Sequence, residues 1–179
     1  MKKLYISLFT IVTSFTLAYA QPTVATDFTM NDCNGKMHNL FSELDSGNVV
    51  IMEFFMTSCQ SCIDAGKDMK PMHQSLVNQY GNKVRFFQTG FNNTYSCATV
   101  LNWINTNNFI SVPFDSGAYQ VAYYGGMGMP TIAIAAGNTH KLLFLNVGFN
   151  TSDTTIMGIE IRNFLDSVYA GVNNINTVV

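Results

Sequence analysis

The sequence predicts an α/β fold, a mixed central sheet flanked by helices with an added β-hairpin at its N-terminal side. Three observations carry that prediction. The run "NVVIMEFFM" (48–56) is almost continuously apolar and of strand length, the pattern of a central parallel strand buried on both faces. It is followed by a helical pattern from Gln60 to Tyr80 and a second strand, "KVRFFQTGF" (83–91), which together make a βαβ crossover. The segment "PTIAIAAGNTHKLLFLNVG" then reads as two strands joined by a Gly-Asn turn, so antiparallel pairing joins the parallel pair.

The chain opens "MKKLYISLFTIVTSFTLAYAQPT": two lysines, an apolar stretch from Leu4 to Leu17, and small residues at Ala18 and Ala20. This is the layout of a signal peptide cut after Ala20, and the apolar stretch is shorter than the ~20 residues a membrane-spanning helix needs. Residues 1–20 are therefore expected to be removed, leaving 159 of the 179 residues as one domain, exported to the periplasm or secreted. The expected mature chain has seven basic and eleven acidic residues, net −4, with the basic ones scattered. That distribution argues against nucleic acid or an anionic membrane surface as partner. Nearly half of all residues are apolar, enough for a core without help from disulfides.

In "DFTMNDCNGKMHNL" the alternation surrounds Asn34-Gly35, a favoured pair for a two-residue hairpin turn. Pro71 lies inside the long helical pattern, so a kink or break is expected there. "SCATVLNWINTNNF" places Cys97, Val100, Leu101 and Ile104 on one helical face with Ser96 as N-cap. "AYQVAYYGG" is a short helix ending at glycine, and "SDTTIMGIEIRNFLDSVYAG" a capped helix closed by Gly171. The domain is thus expected over 21–171, with 172–179 a flexible tail.

The chemistry centres on "TSCQSC". Cys59 falls where the buried strand gives way to the long helix, and the helix N-terminus favours thiolate over thiol. Cys62, one turn on, shares that side, so the pair has an attacking and a resolving thiol for disulfide exchange. A zinc site needs four ligands, but Cys33 and Cys97 are isolated and His38, His73 and His140 show no ligand spacing. No metal or other cofactor is expected beyond the Cys59–Cys62 disulfide itself. A structural staple closing so short a loop would constrain little of the unfolded chain.

Glu53 is the one charged residue in the apolar strand. Burial there would raise its pKa and suit proton transfer, whereas a sheet boundary nearer the surface would leave it solvated. Pro130, in "GMGMPT", stands where a loop enters a strand. A cis bond after Met129 would leave that residue's backbone groups free to pair with an extended substrate, and the alternative is an ordinary strand-start proline. Cys33 and Cys97 are either a second, structural disulfide or two buried thiols.

With these residues in view the sequence resembles the thioredoxin fold, and within it the exported thiol–disulfide oxidoreductases of the TlpA/ResA type, relatives of the peroxiredoxin-like group. "VVIMEFFMTSCQSC" resembles their strand and active-site motif, with Glu53 where that group often carries a buried acid. "YGGMGMPTIAIAAGNTHKLLFLNVG" resembles their cis-proline loop and terminal hairpin, and "DFTMNDCNGKMHNLFSEL" their N-terminal hairpin and short helix. The resemblance implies that Cys59 attacks a disulfide, Cys62 resolves the mixed disulfide and Glu53 handles protons. Met129, Pro130, Ser58 and Gln60 would shape the substrate groove.

It further implies a monomer acting as a reductase of protein disulfides, recharged by a membrane or periplasmic thiol electron donor. Ser58 replaces the usual tryptophan, Gln60 and Ser61 replace the usual Gly-Pro or Glu-Pro, and the helix before Pro71 is about one turn longer than usual. Two other functions are weighed: a non-catalytic binding or accessory domain, and a thiol peroxidase. The peroxidase motif needs a proline and a threonine before its cysteine, and only Thr57 is present. Copper-delivering relatives need a wider cysteine spacing and a downstream histidine; His140, in the hairpin turn, is read as solvated.

Overall fold

The computed structural model describes residues 21–126 and 128–175, with side chains to residue 170. The expected signal peptide lies outside the described residues. Two short strands, β1 (Thr29–Asn31) and β2 (Met37–Asn39), form an antiparallel hairpin that leads into helix α1 (Leu40–Asp45). Strand β3 (Val49–Phe55), helix α2 (Gln60–Tyr80) and strand β4 (Val84–Gly90) follow as the βαβ unit. Helix α3 (Cys97–Thr106) crosses to strand β5 (Val112–Phe114); helix α4 (Ala118–Tyr123), strands β6 (Thr131–Ala136) and β7 (Lys141–Val147) and helix α5 (Asp153–Ile175) complete the chain.

The five-stranded sheet has the order β5-β4-β3-β6-β7, with β3, β4 and β5 mutually parallel and β6 and β7 antiparallel to their neighbours. All seven residues of β3 are buried, as expected of a strand covered on both faces. Alternation sorts them. Val49 and Ile51 pack against Ala65, Met69 and Leu76 of α2 and Met157, Ile161 and Leu165 of α5. Val50, Met52 and Phe54 face the opposite layer, built on Leu40, Leu44, Val121 and Tyr124. Phe55, at the strand's C-terminal end, enters a third cluster with Cys59, Cys62 and the α3 residues Val100, Trp103 and Ile104.

Several local expectations are corrected. The first hairpin does not turn on two residues: Gly35 N–H donates to the Asp32 carbonyl and Asp32 N–H to the Lys36 carbonyl, leaving a three-residue loop with Gly35 at φ +85°. The Asp32 carboxylate causes this, accepting from the N–H groups of both Asn34 (2.8 Å) and Lys36 (3.0 Å). Its oxygen Oδ2 also meets His38 Nε2 at 3.2 Å, and His38 Nδ1 faces Glu43 Oε1 at 3.3 Å, tying hairpin to α1. Burial acts to raise the Asp32 carboxyl, but these hydrogen bonds outweigh it and hold it below its ordinary value.

Pro71 does not break α2, which runs unbroken for 21 residues. Proline removes one N–H and the bond to the carbonyl four residues back, while the apolar face through Ala65, Met69 and Leu76 keeps the helix docked. Gly171 does not close α5, which continues to Ile175; glycine tolerates helical backbone, and neither proline nor a second glycine follows it. His140 is not simply solvated: its ring stacks on Phe41 at 3.6 Å and Nε2 meets Asp45 Oδ1 at 2.9 Å. The edge strand β5 carries too little pattern to read, being three residues long with Pro113 at its centre.

Candidate functional site

Where β3 ends, residues 56–58 turn the chain into α2, and Cys59 caps that helix with extended backbone, φ −93° and ψ 108°. Its sulfur accepts from the Cys62 N–H at 3.1 Å, so Sγ sits where the first unpaired amides of the helix converge. Cys59 and Cys62 are disulfide-bonded, with Cα atoms 5.3 Å apart. They differ in access: Cys59 retains 9% exposure and Cys62 none. Ser58 and Gln60 flank the pair at the surface, and Gln60 Nε2 donates to Asp64.

The peptide bond between Met129 and Pro130 is cis. The loop around it is held by Thr131 Oγ1, which donates to the Gly128 carbonyl, and by Gly148 N–H, which donates to the Pro130 carbonyl. Ser61 Oγ lies 3.2 Å from Cys59 Sγ and donates to the Met129 carbonyl at 3.2 Å, joining the two loops. One of the two Met129 backbone groups expected to be free is therefore already engaged. Beside this junction opens a mostly apolar cleft of about 480 Å³ lined by Met56, Phe91, Val121, Ala122 and Met129.

Glu53 is fully buried, on the face of β3 shared by Ile51 and Phe55 and covered by α2. Its Oε2 accepts from Gln88 Nε2 at 2.7 Å, and its Oε1 is buried without a hydrogen-bond partner among the described residues. Gln88 sits directly opposite on β4, and Ser111 Oγ donates to its Oε1 at 2.6 Å, which fixes the amide with its nitrogen toward Glu53. Burial pushes the Glu53 carboxyl up to about 8, and the single Gln88 bond opposes this only in part. The Gln88 amide lies close under Gly66 of α2, where a Cβ would come within 3.2 Å of Nε2. Gly66 follows Cys62 by one helical turn, so the Gln88 amide that donates to Glu53 lies beneath the turn after the dithiol.

Cys33 and Cys97 form a second disulfide, Cα atoms 5.1 Å apart, between the hairpin turn and the first residue of α3. Among the described residues no three His, Cys, Asp or Glu side chains converge as metal ligands, and no helix is long and apolar enough to cross a membrane. Two participants went unseen in the sequence, Gln88 and Tyr95, whose hydroxyl accepts from the Thr57 N–H at 3.1 Å; Ser61 was read as a residue between the thiols, but its link to Met129 was not. Gln88 carried the one usable signal, an uncharged polar residue inside an apolar strand.

No family model matches the chain, and no curated protein sequence matches it. Solved structures do. A thiol:disulfide interchange protein of the thioredoxin family from Chlorobium tepidum TLS is 21% identical, with TM-score 0.61, over 83% of this chain and 99% of that one. A thiol:disulfide interchange protein from a Bacteroides species is 14% identical, with TM-score 0.61, over 82% and 91%. StoA from Bacillus subtilis is 16% identical, with TM-score 0.58, over 77% and 99%. With the sheet order, the dithiol at the head of α2 and the cis-proline loop facing it, this likeness gives the chain the thioredoxin-like fold.

Proposed function

We propose that the protein is an exported thiol–disulfide oxidoreductase that reduces disulfides in protein substrates through Cys59 and Cys62. The observation that carries the reading is the asymmetry of the pair at the start of α2: Cys59, at the helix N-terminus, keeps 9% exposure and Cys62, one turn on, keeps none. In the reduced protein the Cys59 thiolate attacks one substrate sulfur. The substrate S–S bond breaks, and the departing thiolate takes a proton. Glu53, neutral at rest, releases its proton to solvent and takes the Cys62 proton in its place, and the Cys62 thiolate attacks Cys59 Sγ. The second substrate thiolate leaves and is protonated, and two electrons and two protons have passed to the substrate as the Cys59–Cys62 disulfide forms.

The cis-proline loop and the apolar cleft beside it are where an extended substrate chain would lie, with Ser58, Gln60, Met129 and Pro130 at its edges. A substrate strand that pairs with Met129 displaces Ser61 from the Met129 carbonyl. The resting disulfide is recharged by a thiol donor in the membrane or periplasm, and the protein works as a monomer. Export rests on residues 1–20 and is favoured by two formed disulfides, which persist in oxidising compartments.

Equilibration in graded thiol/disulfide buffers, alkylation of free cysteines and mapping by mass spectrometry test this reading. A Cys59–Cys62 couple near or below about −270 mV, with Cys59 trapped first, supports a reductase, and a couple near −120 mV makes the protein an oxidant instead. A pair that never reduces overturns exchange chemistry and leaves a binding module. Consumption of hydrogen peroxide by the dithiol form would make it a peroxidase.

A further inference from the structure

The segment between β4 and α3 meets the loop ahead of Cys59 at one polar point. Tyr95 Oη accepts from Thr57 N–H at 3.1 Å and from Thr57 Oγ1 at 3.4 Å, two residues before the cysteine. The Tyr95 ring is seated independently of that bond. It stacks on Phe55 with centroids 6.4 Å apart and meets Phe91 edge-on at 5.7 Å. It also lies so close over Gly90 that a Cβ there would come within 2.7 Å of Cδ2. Two residues on, Cys97 is bonded to Cys33, whose own N–H donates to the Pro113 carbonyl on β5 at 2.8 Å. The segment is pinned at both ends, by the sheet at Gly90 and by the second disulfide at Cys97.

We propose that Tyr95, anchored by the Cys33–Cys97 disulfide, is a positioning residue that holds the Thr57 backbone so that Cys59 keeps its sulfur at the first amides of α2. This rests on the reading of Cys59 as the attacking thiol. The residues between Phe55 and Cys59 form a short turn, closed by Cys59 N–H on the Met56 carbonyl at 3.1 Å. A rotation at Thr57 therefore passes directly to the Cys59 side chain. The phenol hydroxyl accepts at the end of a ring packed against Phe55, Phe91 and Gly90.

The test uses the full chain as wild type, as Tyr95→Phe and as the double variant Cys33→Ala, Cys97→Ala. Each is reduced, and the rate of Cys59 alkylation by iodoacetamide is followed from pH 5 to 9 with mapping by mass spectrometry. Tyr95→Phe keeps the ring and removes only the acceptor. It is expected to move the Cys59 profile to higher pH and slow alkylation at pH 7 by about two- to ten-fold, the ratio one lost hydrogen bond represents. The double variant shifts the profile the same way, with Tyr95 still present but unanchored. A reactive wild-type Cys59 whose profile is unchanged in Tyr95→Phe overturns the brace and leaves the oxidoreductase reading standing. A wild-type Cys59 no more reactive at pH 6 than an ordinary thiol overturns that reading and the brace with it.

Discussion

Burial of Glu53 between Gln88 of β4 and Ile132 of β6 removes the water that would stabilise its carboxylate, and one Gln88 N–H replaces only part of it. The neutral acid is favoured in the folded chain, with its pKa about 8 against an ordinary 4.5. An acid whose folded pKa lies above its unfolded one holds more protons folded than unfolded between those values, so stability falls as pH rises from about 4.5 to about 8 and levels off beyond. With each tenfold change in proton affinity worth about 1.4 kcal/mol, the loss is of order a few kcal/mol. Glu53→Gln has no such ionisation. Urea midpoints are expected to fall between pH 6.5 and pH 8.5 for the wild type and to lose that fall in the variant, the buried His73 with its lowered pKa acting below that range. If the wild-type midpoint is flat, Glu53 is ionised in the fold. Gln88→Leu keeps the bulk and removes the donor, and it should push the wild-type decline to higher pH in the same titration. Glu53 stood out in the sequence because it was the one charge in an apolar strand. Gln88 did not, because its partner lies 35 residues away across a parallel pairing.

At the scale of an element, α2 carries two residues that disfavour helix, for different reasons. Pro71 is exposed, so its ring is not part of the core. Pro71→Ala restores the N–H to the helix ladder and is expected to stabilise the protein by about 1–3 kcal/mol, the helix-interior penalty of proline less what the docked helix already absorbs. A lowered urea midpoint would show that the proline shapes the helix for packing. Gly66 is the opposite case. Alanine there gains about 1 kcal/mol of helix propensity. Its Cβ, however, would meet Phe109 ring atoms at 2.7 and 2.9 Å, and that ring is buried beside Trp103. Overpacking of that kind costs about 1–3 kcal/mol, so Gly66→Ala should lower the melting temperature despite the better helix former. The extent of α2 was legible because its period is long and regular. The first hairpin turn was not, because the Asp32 side chain rather than Asn34-Gly35 chose the turn.

For the whole molecule the two disulfides are unequal. Cys33–Cys97 joins residues 64 apart and Cys59–Cys62 residues three apart. Loop-closure entropy makes the long one worth about 4 kcal/mol at most and the short one under about 2. Chemical denaturation should therefore show a large loss for Cys33→Ala, Cys97→Ala and a small one when Cys59–Cys62 alone is reduced. Equal losses would mean that the short bond supports the fold. Such a difference would let the proposed dithiol cycle while the domain stays folded.

The sequence by itself determined the α/β order, the buried central strand, the long helix with its dithiol at the head, and the proline loop after it. Each is a local pattern of period, length or spacing, and local patterns survive without knowledge of neighbours. Only the tertiary structure decided which atoms meet: Gln88 on Glu53, Ser61 between Cys59 and Met129, Tyr95 on Thr57, and Cys33 on Cys97. Those partners come from different elements, and their meeting depends on strand register and on how the helices lie across the sheet. No single segment encodes that. The chemistry of Cys59 belongs to its place in the chain, and the environment that tunes it belongs to the fold.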